Sequence, residues 1–297
     1  MLSPLNECEG FIGMRRSVRE FRTLTSTIYR AEKINDMRRV TMNKVRLPNK
    51  EEIYCINPAE ALLLYEDIYR DRSYLREGIT IRDGDCIFDV GANIGLFTLF
   101  AKQQAARLQL YVFEPIPPIF EVLSANVRLH NVEAQLFQCG LSTKVSREEF
   151  AFYERNSAMS GKYWDPAQEK QVARSILLNK HPDLMDHVDD LLDAGFEPII
   201  FECPLRRLSD VIVERNIPNI NLLKIDVEKS EMDVIGGIEE AHWPIIQQIV
   251  LEVHDIDERV RTVKQFLEFH GFRTSILQNG FFRGTGLYDV YASRREP

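Results

Sequence analysis

Several features that would assign the chain to a common protein class are missing from its 297 residues. No apolar run approaches the ~20 residues of a membrane-spanning helix, and the first residues lack the basic-then-apolar pattern of a signal peptide. The five cysteines are scattered, and none lies in a C-x-x-C pair. This spacing argues for reduced thiols and against a zinc site or a disulfide framework. We therefore expect a cytoplasmic protein with no membrane contact.

Two nucleotide-binding signatures are also absent. Neither the dinucleotide pattern G-x-G-x-x-G nor the P-loop pattern G-x-x-x-x-G-K-[ST] occurs in the chain. In the glycine-rich turn that is present, Asn93 stands where the dinucleotide pattern has its second glycine. A P-loop is thereby excluded, and a nucleotide-dependent oxidoreductase is the least favoured of the enzyme classes considered.

The chain does contain an apolar strand that breaks into a glycine-rich turn. The strand is predicted over 86–90, Gly91 and Gly95 lie in the turn, and a helix is predicted over 94–104. Glycine lets the backbone turn sharply and approach a ligand with no Cβ in the way. The free N–H groups of the new helix then face whatever lies above the strand.

Acidic residues at the ends of two strands indicate which ligand this is. Glu114 ends the next apolar strand, where a carboxylate can accept hydrogen bonds from both ribose hydroxyls of a nucleoside. Asp89, directly before the turn, would repel a phosphate but suits a cationic ligand. S-adenosylmethionine carries a ribose, a sulfonium and an ammonium, and it has no phosphate. It is therefore the expected cofactor.

The residues expected to bind this cofactor come from the turn, the start of the helix and the ends of neighbouring strands. They are Asp89, Gly91, Ala92, Asn93, Gly95, Phe97, Thr98, Glu114, Pro115, Gly140, Leu141 and Asp226.

A second group of ionisable residues follows two later apolar strands. Asp226 and Glu228 end one strand, and Glu252 and His254 end the next. Residues two apart on a strand face the same way, and the ends of neighbouring strands are within side-chain reach. A carboxylate beside a histidine fixes its tautomer and stabilises the imidazolium, as a general base requires. These four residues are the predicted catalytic set, although solvated charge at a strand end would explain any one of them.

A metal site is the alternative interpretation of the same acids. Asp226, Glu228 and Glu231 could form an oxygen cage of the magnesium type. His254 in their midst suits proton transfer better, so no metal is predicted.

Strands and helices alternate from Asp85 onward, which is typical of a mostly parallel sheet with helices on both faces. Residues 1–80 are predicted to form a mostly helical N-terminal extension, and 81–297 the α/β domain. The alternation breaks at 155–198, a segment longer than an ordinary connection and a candidate lid over the site.

Charge is distributed unevenly along the chain, whose net charge is −8. Residues 15–46 carry ten Lys or Arg against three acids, and their apolar positions recur at helical spacing. A solvated helix packed on the core is the favoured interpretation. A docking face for an acidic partner such as an acyl carrier protein is the second, and nucleic acid is a weak third because the chain as a whole is acidic.

Taken together, these motifs resemble the FkbM-type S-adenosylmethionine-dependent methyltransferases. The chain looks most like the O-methyltransferase domains of polyketide synthase and nonribosomal peptide assembly lines. The similarity is carried by DVGANIG at 89–95, FEPIPP at 113–118, CGLS at 139–142, KIDVEKSE at 224–231 and EVHDID at 252–257. It extends from about Val45 to Ser293, although the basic segment has no counterpart in it.

The resemblance implies a class I, Rossmann-like methyltransferase sheet of seven strands with the last one antiparallel. It further implies that Glu114 binds ribose, that Gly140 and Leu141 border the adenine, and that His254 with Glu228 carries the chemistry. The expected activity is O-methylation (EC 2.1.1.-) of a natural-product intermediate or product, which is either free or bound to a carrier protein. The oligomeric state is not indicated.

Two other functions stay open from the sequence. The first is a methyltransferase whose acceptor atom is nitrogen or carbon instead of oxygen. A non-catalytic, cofactor-binding scaffold that docks a carrier protein would belong to a different class, and the presence of both Glu228 and His254 argues against it.

Overall fold

The computed structural model describes residues 41–186, 188–192 and 195–294. The basic helix predicted over 15–46 therefore lies mostly outside the described residues. The sequence also predicts a short strand pair from Lys44 to Ile56, and the antiparallel pairing of Asn43–Arg46 with Glu52–Cys55 confirms it, so the helix does not extend to residue 46. Within the described ranges, no helix is long and apolar enough to cross a membrane. Their four cysteines are buried free thiols.

The strands of the described residues are β1 (Asn43–Arg46), β2 (Glu52–Cys55), β3 (Cys86–Val90), β4 (Gln109–Phe113), β5 (Ala134–Phe137), β6 (Gly140–Leu141), β7 (Ser146–Phe152), β8 (Ile199–Arg206), β9 (Leu222–Ile225), β10 (Gln248–His254), β11 (Arg273–Leu277) and β12 (Leu287–Ser293). The α-helices are α1 (Pro58–Tyr65), α2 (Leu96–Gln104), α3 (Pro117–Leu129), α4 (Pro166–Lys180), α5 (Val188–Leu192), α6 (Leu208–Arg215), α7 (Glu231–Gly236) and α8 (Arg259–Phe269).

Seven of these strands form the main sheet, in the order β11-β12-β10-β9-β3-β4-β5. The strands from β10 to β5 run parallel to one another. β12 runs antiparallel to both of its neighbours. The predicted α/β class and the seven-stranded sheet with one antiparallel strand are thereby confirmed.

The central strands are apolar because both of their faces are covered. Every residue of β3 and of β9 is buried, as expected for parallel strands with helices on each side. Parallel strands end at the same edge, so the residues that follow β3, β4, β9 and β10 meet there. This carboxyl edge is where open α/β sheets bind ligands.

Residues 43–80 pack directly against this sheet. The side chain of Asn126, on α3, accepts a hydrogen bond from the N–H of Tyr54 and donates one to its carbonyl. Tyr291, on β12, donates its hydroxyl to the carbonyl of Ser73 at 2.6 Å. Asn57 caps α1 by accepting from the N–H of Ala59. These bonds hold residues 43–80 against the domain, and Tyr74, in the segment after α1, reaches the carboxyl edge by donating its hydroxyl to Asp226.

The segment predicted as a lid leaves and rejoins the body at one place. β7 and β8 pair antiparallel in a second sheet with β6, and their last pair is Phe152 opposite Ile199. Strand β8 and helix α6 had no counterpart in the sequence analysis. Between β7 and β8, α4 and α5 pack on a small core of their own. It consists of Ala151, Tyr153, Ala173, Val188, Leu192 and Phe196. That this segment acts as a lid stays a prediction.

Candidate active site

A pocket at the carboxyl edge brings most of the predicted site residues together. It encloses about 910 Å³, including space that is open to solvent. The predicted residues that line it are Gly91, Ala92, Asn93, Phe97, Glu114, Pro115, Gly140, Leu141, Asp226 and Glu228. Ser157 to Lys162 of the predicted lid contribute to another wall, apart from Met159. The site is thus formed jointly by the sheet edge and the lid segment.

The glycines of the turn are required by its geometry. Gly91 has φ +76°, and a Cβ there would lie 1.7 Å from the carbonyl oxygen of Asp226. Gly95 has φ +90°, and a Cβ there would lie 2.7 Å from Leu123 Cδ1. A side chain would therefore force β3 away from β9 at the first position and the turn away from α3 at the second.

Asp89 does not face the pocket, contrary to its predicted role in meeting a cationic ligand. It is 1 % exposed, accepts a hydrogen bond from Thr98 Oγ1 at 2.6 Å, and forms an ion pair with Lys224 Nζ at 3.1 Å. Thr98 is equally buried and also does not line the pocket. Both residues support the turn from beneath. Thr98 bonds to Asp89, Asp89 pairs with Lys224, and Lys224 donates to the carbonyl of Gly91 in the turn at 2.6 Å.

Glu114 lies where the sequence predicted it, at the end of β4 and on the pocket wall. Its carboxylate accepts hydrogen bonds from the N–H groups of Asn93 and Ile116, at 3.1 and 2.9 Å. Burial raises the pKa of Glu114 to about 7 despite these bonds. The carboxylate is therefore oriented by the backbone of the turn it must serve.

The residues present fit S-adenosylmethionine. The missing Cβ of Gly91 lets the turn pack against the backbone of Asp226, and both residues line the pocket. Glu114 could hold the ribose, and Leu141 could border the adenine. Asp226 also lines the pocket, and a carboxylate there could pair with a sulfonium or an ammonium.

His254 is held between two carboxylates. Its Nε2 lies 3.1 Å from Glu228 Oε2, and its Nδ1 lies 3.0 Å from Glu231 Oε1. Arg259 Nη1 donates to the other oxygen of Glu231 at 2.7 Å. The ring does not line the pocket itself, whereas Glu228 does. His254 therefore reaches the pocket through Glu228.

The charges of this group are strongly coupled. Burial alone would lower the pKa of His254, but the hydrogen bonds to Glu228 and Glu231 outweigh it and raise that pKa well above its usual range. Burial raises the pKa of Glu228 to about 7 against the opposing effect of His254. For Glu231, His254 and Arg259 overcome burial, and its pKa is lowered. Glu228 and His254 therefore titrate as one pair and not as two separate groups.

The turn that carries Glu228 is strained. Glu228 and Lys229 have φ values of +46° and +70°, and a non-glycine residue in this left-handed region costs roughly 1–3 kcal/mol. Arg259 donates to the carbonyl of Lys229, and the ammonium of Lys229 binds Glu169 of α4 at 2.6 Å. Surrounding contacts thus fix a backbone that points Glu228 into the pocket.

Four further residues of the site were not predicted to act in it. They are Tyr74, Lys224, Glu231 in its contact with His254, and Arg259. Lys224 and Glu231 both lie in the KIDVEKSE motif, and Lys224 gave a signal because it is a charged residue within an apolar strand. Tyr74, which donates its hydroxyl to Asp226 Oδ2 at 2.7 Å, had none, because 152 positions separate the two residues.

Comparison with known proteins places this geometry in a family. Residues 89–274 match the model of the Methyltransferase FkbM domain. The chain is 42% identical over 255 residues to 31-O-demethyl-FK506 methyltransferase FkbM of Streptomyces tacrolimicus, covering 84% of this chain and 96% of that protein.

Two further relatives differ greatly in size. Methyltransferase 1 of Beauveria bassiana is 32% identical over 79% of this chain and 91% of its own length. AMB antimetabolite synthetase AmbE of Pseudomonas aeruginosa is 37% identical over 84% of this chain, which spans only 12% of that protein.

Proposed function

The chain belongs to the FkbM family of S-adenosylmethionine-dependent methyltransferases, and on this basis we propose that it methylates a hydroxyl group of a small natural-product molecule. The observation that carries the proposal is the position of Glu228. It lines the same pocket as Glu114 and the glycine turn while His254 holds it from behind. A proton acceptor is therefore available beside the cofactor cradle.

An oxygen acceptor explains why such a unit is needed. An alcohol is too weak an acid to ionise before it attacks, so its proton must leave as the new C–O bond forms. A positioned base contributes on the order of 10²–10⁴ in rate. A neutral amine needs much less help, so the Glu228–His254 pair favours oxygen over nitrogen. The printed name of the Streptomyces relative, an O-demethyl-FK506 methyltransferase, is in accord with this choice.

Each residue has a defined part in the proposed reaction. Bound S-adenosylmethionine would supply a methyl group activated by its sulfonium. Glu114 and the Gly91 turn position the cofactor, and much of the rate comes from aligning two substrates in one pocket. The acceptor proton passes to the Glu228–His254 unit, and Glu231 fixes the orientation of the ring at Nδ1. Asp226 also lines the pocket, and one of its carboxylate oxygens lies within 4.8 Å of one of Glu228.

The acceptor is either free or bound to a carrier protein. The similarity to AmbE, a synthetase many times longer than this chain, favours the carrier-bound form as a candidate to test. The similarity to proteins of comparable length favours the free form. Both forms must therefore be offered to the enzyme.

The experiment is a methyl-transfer assay by mass spectrometry with hydroxylated small molecules and their pantetheine-bound analogues. We expect His254→Ala to reduce turnover by roughly 10²–10⁴ while the affinity for S-adenosylhomocysteine stays near wild type. His130→Ala is the matched control, because His130 contacts the carbonyl of Glu52 and does not line the pocket.

Two further results decide the assignment. The double variant His254→Ala/Glu228→Gln should be far from additive, because the two residues act as a unit. Near-normal turnover of His254→Ala with an alcohol acceptor would show that the unit does not take the proton. If the assay shows methyl transfer to amines and to no hydroxylated compound, the acceptor atom is nitrogen and not oxygen.

A further inference from the structure

The lid segment contacts the strained turn that carries Glu228 at two places. The first contact is made by Gly161, in the loop that lines the pocket. A Cβ on Gly161 would lie 2.9 Å from Glu228 Cβ and 3.2 Å from the carbonyl oxygen of Glu228. Gly161 is also held by two backbone hydrogen bonds with Ala151 of β7, at 3.0 and 3.1 Å. Only a residue without a Cβ can therefore pack on Glu228 from this side without displacing it.

The second contact is a buried ion pair. Glu169, on α4, lies 2.6 Å from the ammonium of Lys229, and the two residues are 2 % and 7 % exposed. The other carboxylate oxygen of Glu169 has no hydrogen-bond partner among the described residues, so its charge depends on Lys229 for compensation. A buried charge that loses its partner is strongly destabilising. Packing of α4 at this place therefore requires the side chain of Lys229 to point towards it.

The body of the domain holds the same turn by its backbone. The N–H of Lys229 donates to Glu231 Oε1 at 2.9 Å, and its carbonyl accepts from Arg259 Nη1 at 2.8 Å. Glu228 and Lys229 both have a left-handed backbone, which persists only where the surrounding structure over-determines it. The turn is thus clamped between the body and the lid segment, and the lid contacts bear on its side chains.

Helix α4 is itself fixed at both ends. Asp165 caps its start by accepting hydrogen bonds from N–H groups of the first turn. Near its end, Lys180 forms an ion pair with Glu66, in the segment after α1. Asn179 donates to the carbonyl of Phe281 at 2.8 Å. The carboxylate that binds Lys229 is therefore presented from a defined position.

We propose that Gly161 and Glu169 are positioning residues that hold Glu228 in its pocket-facing conformation, so that packing of the lid segment completes the active site. That the group so positioned takes the acceptor's proton rests on the proposed function. Misplacement of a reacting group by about 1 Å can cost roughly 10²-fold in rate. A lid that also positions the proton acceptor couples closure over the substrates to assembly of the catalytic unit.

The test follows the contact between His254 and Glu228 without cofactor or acceptor. The full chain is labelled with ¹⁵N-histidine, and His254→Ala assigns the ring resonances of His254 by difference. In wild type, Nε2 lies against Glu228 and Nδ1 against Glu231. We expect Gly161→Ala and Glu169→Gln each to shift the Nε2 resonance, and to shift it more than the Nδ1 resonance, because Glu228 moves away from the ring.

Each substitution has a matched control. Gly280→Ala also adds a methyl group to a glycine outside the left-handed region, but nothing lies within 4 Å of a Cβ there. Asp189→Asn also removes a carboxylate from an ion pair of the lid segment, but that pair, with Arg174, is exposed and lies within the segment itself. Both controls should give the Nε2 resonance of wild type.

Kinetics then separate positioning from substrate binding. Glu169 does not line the pocket, so Glu169→Gln should lower kcat at least about tenfold and leave the KM for S-adenosylmethionine near wild type. Unchanged affinity for S-adenosylhomocysteine would show that the variant is folded. An unchanged Nε2 resonance in either Gly161→Ala or Glu169→Gln would overturn the proposal. A shifted resonance with undiminished turnover would uphold the positioning and refute Glu228 as the proton acceptor.

Discussion

The close approach of the glycine turn to β9 can be tested with a pair of substitutions. A Cβ at Gly91 would lie 1.7 Å from the carbonyl oxygen of Asp226, whereas ordinary contact begins at 3.4 Å. In Gly91→Ala the turn and the start of the Asp226 loop must therefore move apart by roughly the difference between these two distances. That movement would break the hydrogen bond from the Asp226 N–H to the carbonyl of Val90, which is 3.0 Å long.

The expected cost has three parts. The left-handed backbone costs an alanine roughly 1–2 kcal/mol, overpacking adds roughly 1–3 kcal/mol, and the lost backbone hydrogen bond adds about 1 kcal/mol. We therefore expect Gly91→Ala to lower the free energy of unfolding by roughly 3–6 kcal/mol.

Gly84→Ala is the matched control for this substitution. Gly84 has φ +87°, close to that of Gly91, but nothing lies within 4 Å of a Cβ built there. It should lose only the backbone contribution, roughly 1–2 kcal/mol. Urea unfolding measures both variants, and calorimetry with S-adenosylhomocysteine should show weakened binding for Gly91→Ala alone. Equal losses of stability in the two variants would refute the steric argument.

Three further predictions concern buried charge. Since the pKa of Glu114 is raised to about 7, its carboxylate becomes protonated as pH falls below 7, and calorimetry should show weaker S-adenosylhomocysteine binding at pH 6 than at pH 8. Glu114→Gln should remove this pH dependence and reduce the binding free energy by roughly 1–3 kcal/mol at pH 8. Burial also raises the pKa of Glu60 to about 7, so the folded state binds more protons than the unfolded state between about pH 4.5 and 7, and the free energy of unfolding falls as pH rises through that window. Urea unfolding should show a shallower fall with pH for Glu60→Gln than for wild type. An identical pH dependence in the two proteins would contradict the assignment. Lys229→Met leaves Glu169 buried without its partner and should lower the free energy of unfolding by roughly 3–5 kcal/mol, whereas Lys229→Met/Glu169→Leu should be close to wild type in stability. A double variant as unstable as the single one would show that the ion pair is itself stabilising.

The sequence determined the features that depend on neighbouring residues. In the sequence, the burial of β3 on both faces is visible as an apolar run. The left-handed backbone of the turn is visible as Gly91 and Gly95, because only glycine adopts that conformation without strain where another segment of the protein packs closely against it. The acids at the strand ends were located for the same reason. They follow directly after apolar runs, and the carboxyl ends of parallel strands meet at one edge.

Local patterns failed where the partner of a residue is distant in the chain. Asp89 was assigned to the ligand because its position before the turn is all that the sequence shows. Its neutralisation by Lys224 depends on the pairing of β3 with β9, which only the folded sheet creates. Strand β8 was missed because only its Cys203 and Leu205 are fully buried, and because the lid segment separates it in the sequence from its partner β7.

The order of strands decided the chemistry of the site. The sequence identified Glu228 and His254, and it could not show that Glu231 holds the second ring nitrogen. It also placed Asp226 and Glu252 on different strands without revealing that Asp289, from an antiparallel strand near the end of the chain, lies beside them. Side-chain charges act through space over a few ångströms, and that separation is set by the register of β9, β10 and β12, which tertiary packing alone selects.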